Sequence, residues 1–178
     1  MQSPIPPHRR MEQVTLVDGL SAWRCRDSGG HYIPADAYWR WLHRQPGRLP
    51  HLPPPQDTAP SAEEGSTPKL CPETGTLMLR CKVGYGFPFS IDRSVTGGIW
   101  LDAGEWEALR ARHFHDELHL IFTAPWQAAV RHEAARKAEH DLLQSRLGVD
   151  LLTKIENLKA QLAEHPHRNA ALAYLQRL

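Results

Sequence analysis

The chain has 178 residues, a formal net charge of +1, 41% hydrophobic residues and 23% charged residues. Those values suit one or two small domains with modest cores, and they supply no global field to favour nucleic acid or membrane. Fifteen prolines and six tryptophans are the departures from an ordinary composition.

Met1 to Met11 is polar and proline-rich without an apolar centre, unlike a secretory signal. No apolar run approaches the length of a bilayer span. Cys25, Cys71 and Cys81 cannot all pair with one another, so free thiols in a reducing, cytoplasmic setting are expected.

A first unit is expected over residues 12–45. Leu20, Ala22 and Arg24 alternate with Ser21, Trp23 and Cys25, a strand signal that ends at Gly29-Gly30. Pro34 and Asp36 then suit the first turn of a short helix. Arg24, Arg26, Arg40, Arg44, Arg48 and His43 make this unit basic, and Arg40 and Arg44 share a helical face. That pair is the candidate contact to a phosphate backbone. The near-neutral chain and the adjacent Asp27 and Asp36 favour a solvated face instead.

Residues 46–68 hold seven prolines and scarcely a large apolar side chain. Such a segment cannot offset its ordering entropy, so it reads as a disordered, extended linker.

The second unit, 69–122, repeats the first. Aligning Gly29-Gly30 with Gly97-Gly98 also aligns Tyr32 with Trp100, Ile33 with Leu101 and Tyr38 with Trp106. Phe87, Phe89 and Ile91 alternate before the second glycine pair. Asp102 and Glu105 have capping-box spacing, each able to bond the other's backbone amide at a helix start. The aromatic residues of both units are expected mainly as core.

Apolar residues at Trp106, Leu109, Phe114, Leu118 and Ile121 fit one helical stripe. Thr123-Ala-Pro125 breaks it, and the helical C-terminal region is placed at 123–178. Within that region Gly148 ends one helix and Asp150 caps another, which carries Leu151, Ile155, Leu158 and Leu162 on one face. A last short helix carries Leu172, Leu175 and Leu178.

The strings Cys71-Pro-Glu-Thr-Gly75 and Gly97-Gly-Ile-Trp-Leu-Asp-Ala-Gly-Glu105 carry a family resemblance. Over about residues 69–110, with a fainter echo over 16–42, the chain resembles the bacterial TFIIB-type zinc-finger family, a small zinc ribbon. That family shows Cys-Pro-x-Cys-Gly, two strands, then Cys-x-x-Cys-Gly-Gly and a Trp-Leu-Asp-x-Gly-Glu stretch. The resemblance carries the ligand positions onto Cys71, Thr74, Arg93 and Thr96, and in the first copy the last two onto Cys25 and Ser28. One thiol, two hydroxyls and a guanidinium are a poor donor set for Zn²⁺. A ribbon that keeps its shape by packing, with no cofactor, is therefore the expectation, and Gly29, Gly30, Gly97, Gly98, Trp100, Asp102 and Glu105 are its structural signature.

His115 and His119 lie four apart on an expected exposed helical face, next to His113. The spacing departs from the metalloprotease pattern, which needs Glu directly after the first His, so a metal-dependent hydrolase is the weakest reading. No nucleophile elbow, Walker loop or dinucleotide fingerprint occurs. The expected protein is thus α+β: two degenerate ribbon-like hairpin-and-helix units, a linker and a helical tail. Its expected role is non-enzymatic docking of a protein partner, with nucleic acid as the alternative partner and no membrane contact. Regulatory or transcription-associated work is implied by the resemblance alone, and nothing in the chain sets the oligomeric state.

Overall fold

The computed structural model of the chain describes residues 1–47, 50–53 and 67–177. It is an α+β structure in two compact units, Met1–Arg131 and His132–Leu178. The larger unit is built on a six-stranded antiparallel sheet in the order β1-β2-β3-β6-β5-β4. The strands are β1 Glu12–Thr15, β2 Ser21–Arg24, β3 His31–Ile33, β4 Leu79–Gly84, β5 Phe87–Arg93 and β6 Ile99–Leu101.

The repeat seen in the sequence becomes a pseudo-dyad here. β3 and β6, the strands that follow the two glycine pairs, lie side by side at the sheet centre. His31 faces Leu101, Tyr32 faces Trp100 and Ile33 faces Ile99. The aligned residues Tyr32 and Trp100 therefore sit opposite each other on the axis, and β1 and β4 become the two sheet edges. In each half a third strand thus intervenes between glycine turn and helix, where the sequence suggested that the helix follows directly.

The central strands are buried on both faces, because alternation along them feeds two cores. Ile33, Ile99 and Leu101 join Leu20, Trp41, Val83, Phe89, Ile91, Trp106 and Leu109 on one face. Tyr32 and Trp100 join Met11, Cys25, Cys71 and Met78 on the other.

Helices α1 Ala35–Leu42, α2 Glu105–Ala111 and α3 Leu118–Ile121, with the start of α4 Ala124–Leu147, cover the first core. Trp126 of α4 donates its indole N–H to Val83 O at 2.8 Å, tying that helix to β4. The β4–β5 hairpin turns through Gly84-Tyr85-Gly86, all at positive φ, and a Cβ on Gly84 would run into Val130.

The second core is closed by two hairpins that precede the first strand of each half. Met11 N–H donates to Met1 O (3.0 Å) and Ser3 N–H to Arg9 O (2.8 Å); in the other half Met78 donates to Lys69 O (2.9 Å) and Cys71 to Thr76 O (2.7 Å). Ser3-Pro4 thus occupies the place of Cys71-Pro72. The first half as folded includes residues 1–11, ahead of the boundary at 12 read from the sequence.

Two further departures concern loops. The stripe from Trp106 to Ile121 is fully buried, yet it is not one helix: α2 stops at Ala111, His113 turns back at φ 62° and α3 starts at Leu118. Side-chain spacing alone cannot distinguish a helix from two turns that bury the same residues. Most of the expected 46–68 linker lies outside the described residues. Within it, Leu52 exchanges backbone and guanidinium bonds with Arg112, and His51 stacks on Phe114 at 3.8 Å and 13°.

In the C-terminal region Pro125 stands in the first turn of α4, and Gly148 at φ 77° divides α4 from α5 Val149–Ala163. Helix α6 spans Arg168–Leu175. Asp150 lies inside the first turn of α5, with Gly148 as the capping residue. No helix among the described residues is long and apolar enough to cross a membrane.

Candidate functional site

Each half ends its hairpins in a corner of two facing turns. In the second half Cys71 N–H bonds Thr76 O and Gly75 N–H bonds Cys71 O (2.8 Å), folding 71–76 into a tight knuckle. Burial pushes the Cys71 thiol up, but the hydroxyls of Thr74 and Tyr32 and the amides of Glu73 and Thr74 donate to it and bring it below its ordinary value. Across the corner Ser94 bonds Thr96 at 2.7 Å, and the Thr96 hydroxyl donates to Glu73 at 3.0 Å.

Cys71, Thr74 and Thr96 therefore come together, whereas Arg93 does not join them. Arg93 pairs with Ile99 on the opposite face of the sheet and lays its guanidinium 5.5 Å from the Phe122 ring. Ser94, one residue later, points into the corner and accepts from Gly98 N–H at 2.9 Å. The phenol of Tyr32, from the other half, enters the same corner with its hydroxyl 3.5 Å from Cys71 Sγ. One sulfur, hydroxyls already bonded to each other and a penetrating phenol do not fit a zinc ion. Among the described residues, no three His, Cys, Asp or Glu side chains gather as a metal set.

Beside this corner lies a buried ionic cluster that composition alone did not reveal. Lys69, 2% exposed, donates to Asp92 at 2.9 Å and to Asp102 at 2.8 Å. Arg80 grips both oxygens of Asp92 at 3.0 Å, and Trp100 Nε1 donates to Asp102 at 2.7 Å. Glu105 accepts from Asp102 N–H at 2.7 Å, so its half of the expected capping box forms. The carboxylate of Asp102 is spent on Lys69 and Trp100 instead. Burial, reinforced by Asp102 and Asp92, drives Glu105 up to about 8. The sequence signal was Trp100, Asp102 and Glu105 in one string, but their cation comes from Lys69, far along the chain.

The first corner is built alike. Cys25 N–H bonds Gly30 O at 2.9 Å and Gly29 N–H bonds Cys25 O at 2.8 Å. Burial raises the Cys25 thiol, but the hydroxyls of Ser28 and Ser3 and the amides of Ser28 and Asp27 outweigh it and lower it. Here the corner opens into a cavity of about 410 Å³ lined by Arg9, Arg10, Cys25, Arg26 and Asp27.

Arg40 lies on the exposed side of α1, whereas Arg44 falls in the turn past its end, so the expected shared helical face does not form, and both are engaged locally. Arg40 pairs with Asp36 at 2.7 Å across one helical turn, and Arg44 Nε donates to Arg40 O at 3.2 Å. The histidines are not an exposed helical pair. His115 is wedged between Trp41 and Trp106, ring centroids 5.8 Å from each, and burial lowers its ring below the ordinary value. His119, on α3, bonds the Tyr38 hydroxyl at 3.0 Å through Nδ1. The two histidines share no helix, because His115 lies in a turn at 115–116 after Phe114 enters the core, and α3 starts only at Leu118. His113, His115, Asp116, Asp18 and Gln45 border a small cavity of about 140 Å³.

No family model, curated protein or solved structure matches the chain.

The unit His132–Leu178 carries an exposed apolar surface. Leu152 is its one buried residue among those described. Leu142, Leu143 and Leu147 of α4 and Leu151, Ile155 and Leu158 of α5 are 38–49% exposed. On α5 the last three sit at 4- and 3-residue steps with half-buried Leu162 completing the row, so they form one apolar stripe. Exposed Lys154 and Lys159 border it on its two sides.

Proposed function

We propose that this chain is a non-enzymatic docking module. In this reading a degenerate pair of TFIIB-type ribbons, merged into one sheet and held by packing and an ionic cluster, carries a helical unit that binds a protein partner. The observation that carries it is the apolar stripe of α5, at 40% exposure or more from Leu151 to Leu158.

Short helices do not persist in water on propensity alone and draw most of their stability from burying an apolar face. A helical unit with a single buried residue among those described leaves that contribution to another surface. An amphipathic helix with leucines on one face and carboxylates along its flanks would complement the stripe and its bordering Lys154 and Lys159.

The test compares the full chain with a Leu151→Lys/Leu158→Lys variant as baits for proteins of the source cell. A specific partner recovered by the first and lost by the second, while the Met1–Arg131 unit keeps its melting temperature, supports the reading. Equal recovery by both chains rejects it.

A further inference from the structure

The two corners, alike in backbone, differ in what fills them. The second is closed by Tyr32, Ser94, Thr96 and Glu73. The first is open, and three of its five lining side chains are arginines. We infer that the first corner is a binding site for a small phosphate-bearing molecule, gripped by Arg9, Arg10 and Arg26.

The hairpin bond from Ser3 N–H to Arg9 O presents Arg9 and Arg10 at the rim. The knuckle of Cys25 to Gly30 presents Arg26 and Asp27 from the facing side. Arg26 is oriented by Glu12, which accepts from its Nε at 2.6 Å and engages no other atom of the guanidinium. Arg9 approaches Asp27 at 3.6 Å, also through Nε. The side chain of Arg10 has no ion pair among the described residues. The terminal nitrogens of three guanidiniums thus remain for an anion, and their planar donor forks match phosphate oxygens.

Size and charge favour a small molecule over a polymer. A half-open volume of about 410 Å³ has room for a small phosphate ester but not for a polymer. A polymer would need a basic track beyond the cavity, yet the chain is nearly neutral, Arg40 is paired with Asp36 and Arg44 donates to the Arg40 carbonyl. Asp27 in the lining accepts a hydroxyl of the same ligand, which points to a hydroxylated phosphomonoester rather than phosphate alone. This site is independent of the helical stripe.

The experiment titrates the full chain with inorganic phosphate, glycerol 3-phosphate and a short single-stranded oligonucleotide, with sodium chloride at matched ionic strength. Calorimetry and amide and guanidinium NMR shifts are the readouts. Expected is saturable binding of both small phosphates, tighter for glycerol 3-phosphate, with shifts at Arg9, Arg10 and Arg26. Arg10→Ala and Arg26→Ala should each weaken it about tenfold, while Arg24→Ala, which removes a nearby charge outside the lining, should leave it within about twofold. Absence of saturable binding overturns the inference, as does binding insensitive to Arg10→Ala and Arg26→Ala in chains whose melting is unchanged. Oligonucleotide binding without small-phosphate binding also overturns it, in favour of a nucleic-acid surface.

Discussion

Tyr32 and Trp100 face each other across the pseudo-dyad, and each reaches over a glycine of the opposite half: Trp100 over Gly30 and Tyr32 over Gly98. The glycine pairs also pack alike, with Gly29 against Ala103 and Gly97 against Ala35, both at 3.3 Å from a built Cβ. The repeated glycines and aromatics therefore serve one interface. Each half supplies the ring that the other half's glycine admits, so neither half has the same packing alone.

Gly98→Ala and Gly30→Ala should accordingly be far more damaging than a helix-end glycine change. Their φ values are ordinary, so the cost is steric: a methyl would meet the Tyr32 hydroxyl in one case and the Trp100 indole in the other. Each should destabilise by about 3 kcal/mol. Gly104→Ala, at φ 82° in open space, should cost only about 1 kcal/mol of backbone strain. Urea melts of the three variants check the ranking. Gly98→Ala combined with Tyr32→Leu should cost less than the sum of the single changes, because they share one contact.

The Lys69 cluster gives a second expectation. Lys69→Met leaves Asp92 with Arg80 alone and Asp102 with no cation, both near the core. Breaking a buried pair from one side costs about 3–5 kcal/mol, and chemical denaturation should read a loss of that order. Lys82→Met is the control. It removes an exposed cation from β4, the strand that carries Arg80, and should shift stability by less than about 0.5 kcal/mol. Similar losses for both would show that the cluster contributes nothing special.

Much of this was legible because repetition and alternation are local. The glycine pairs, the strand before each and the breaks at Pro125 and Gly148 all follow from neighbours in sequence. What was hidden depends on distant partners. Nothing near Lys69 announces Asp92 and Asp102, and nothing near Tyr32 announces a corner formed by Cys71 and Ser94. Ser3-Pro4 was the one readable sign of the first half's missing hairpin, since it matches Cys71-Pro72 in all but the thiol. The third ligand position went to Arg93 by spacing, but strand pleating turns Arg93 to the opposite face and leaves Ser94 in the corner. His115 and His119 have helical spacing without sharing a helix, because His115 falls in the turn that follows Phe114 and only His119 lies in α3.

The filled corner leads to a metal prediction. Thr74 bonds Thr76, Thr96 bonds Ser94 and Glu73, and Tyr32 lies against Cys71. Zinc would have to displace these contacts to gain a single thiolate, so a chelator should leave the melting temperature unchanged and elemental analysis should find far less than one zinc per chain. A chelator-induced fall of several degrees would be incompatible with this packing, because structural zinc carries folding energy outright.

Glu105 predicts how stability moves with pH. Its carboxyl is raised from 4.5 to about 8 in the folded chain, so between those values the folded state holds a proton that the unfolded state releases. By linkage this contribution weakens the fold as pH rises from about 5 to 8, and it vanishes once both states are protonated. His115 acts in the opposite sense at lower pH. Its ring is lowered by burial, so the unfolded state takes up a proton first and stability falls as pH drops through the ordinary histidine range. The two effects overlap near pH 6, which makes the raw profile ambiguous. Glu105→Gln separates them, since the amide keeps an acceptor for Asp102 N–H without a titrating proton. Relative to Glu105→Gln, the unaltered chain should gain stability steadily on acidification from pH 8.5 to 5.5, by roughly 2–4 kcal/mol in all. Parallel profiles for the two chains would mean that Glu105 does not carry a proton at neutral pH.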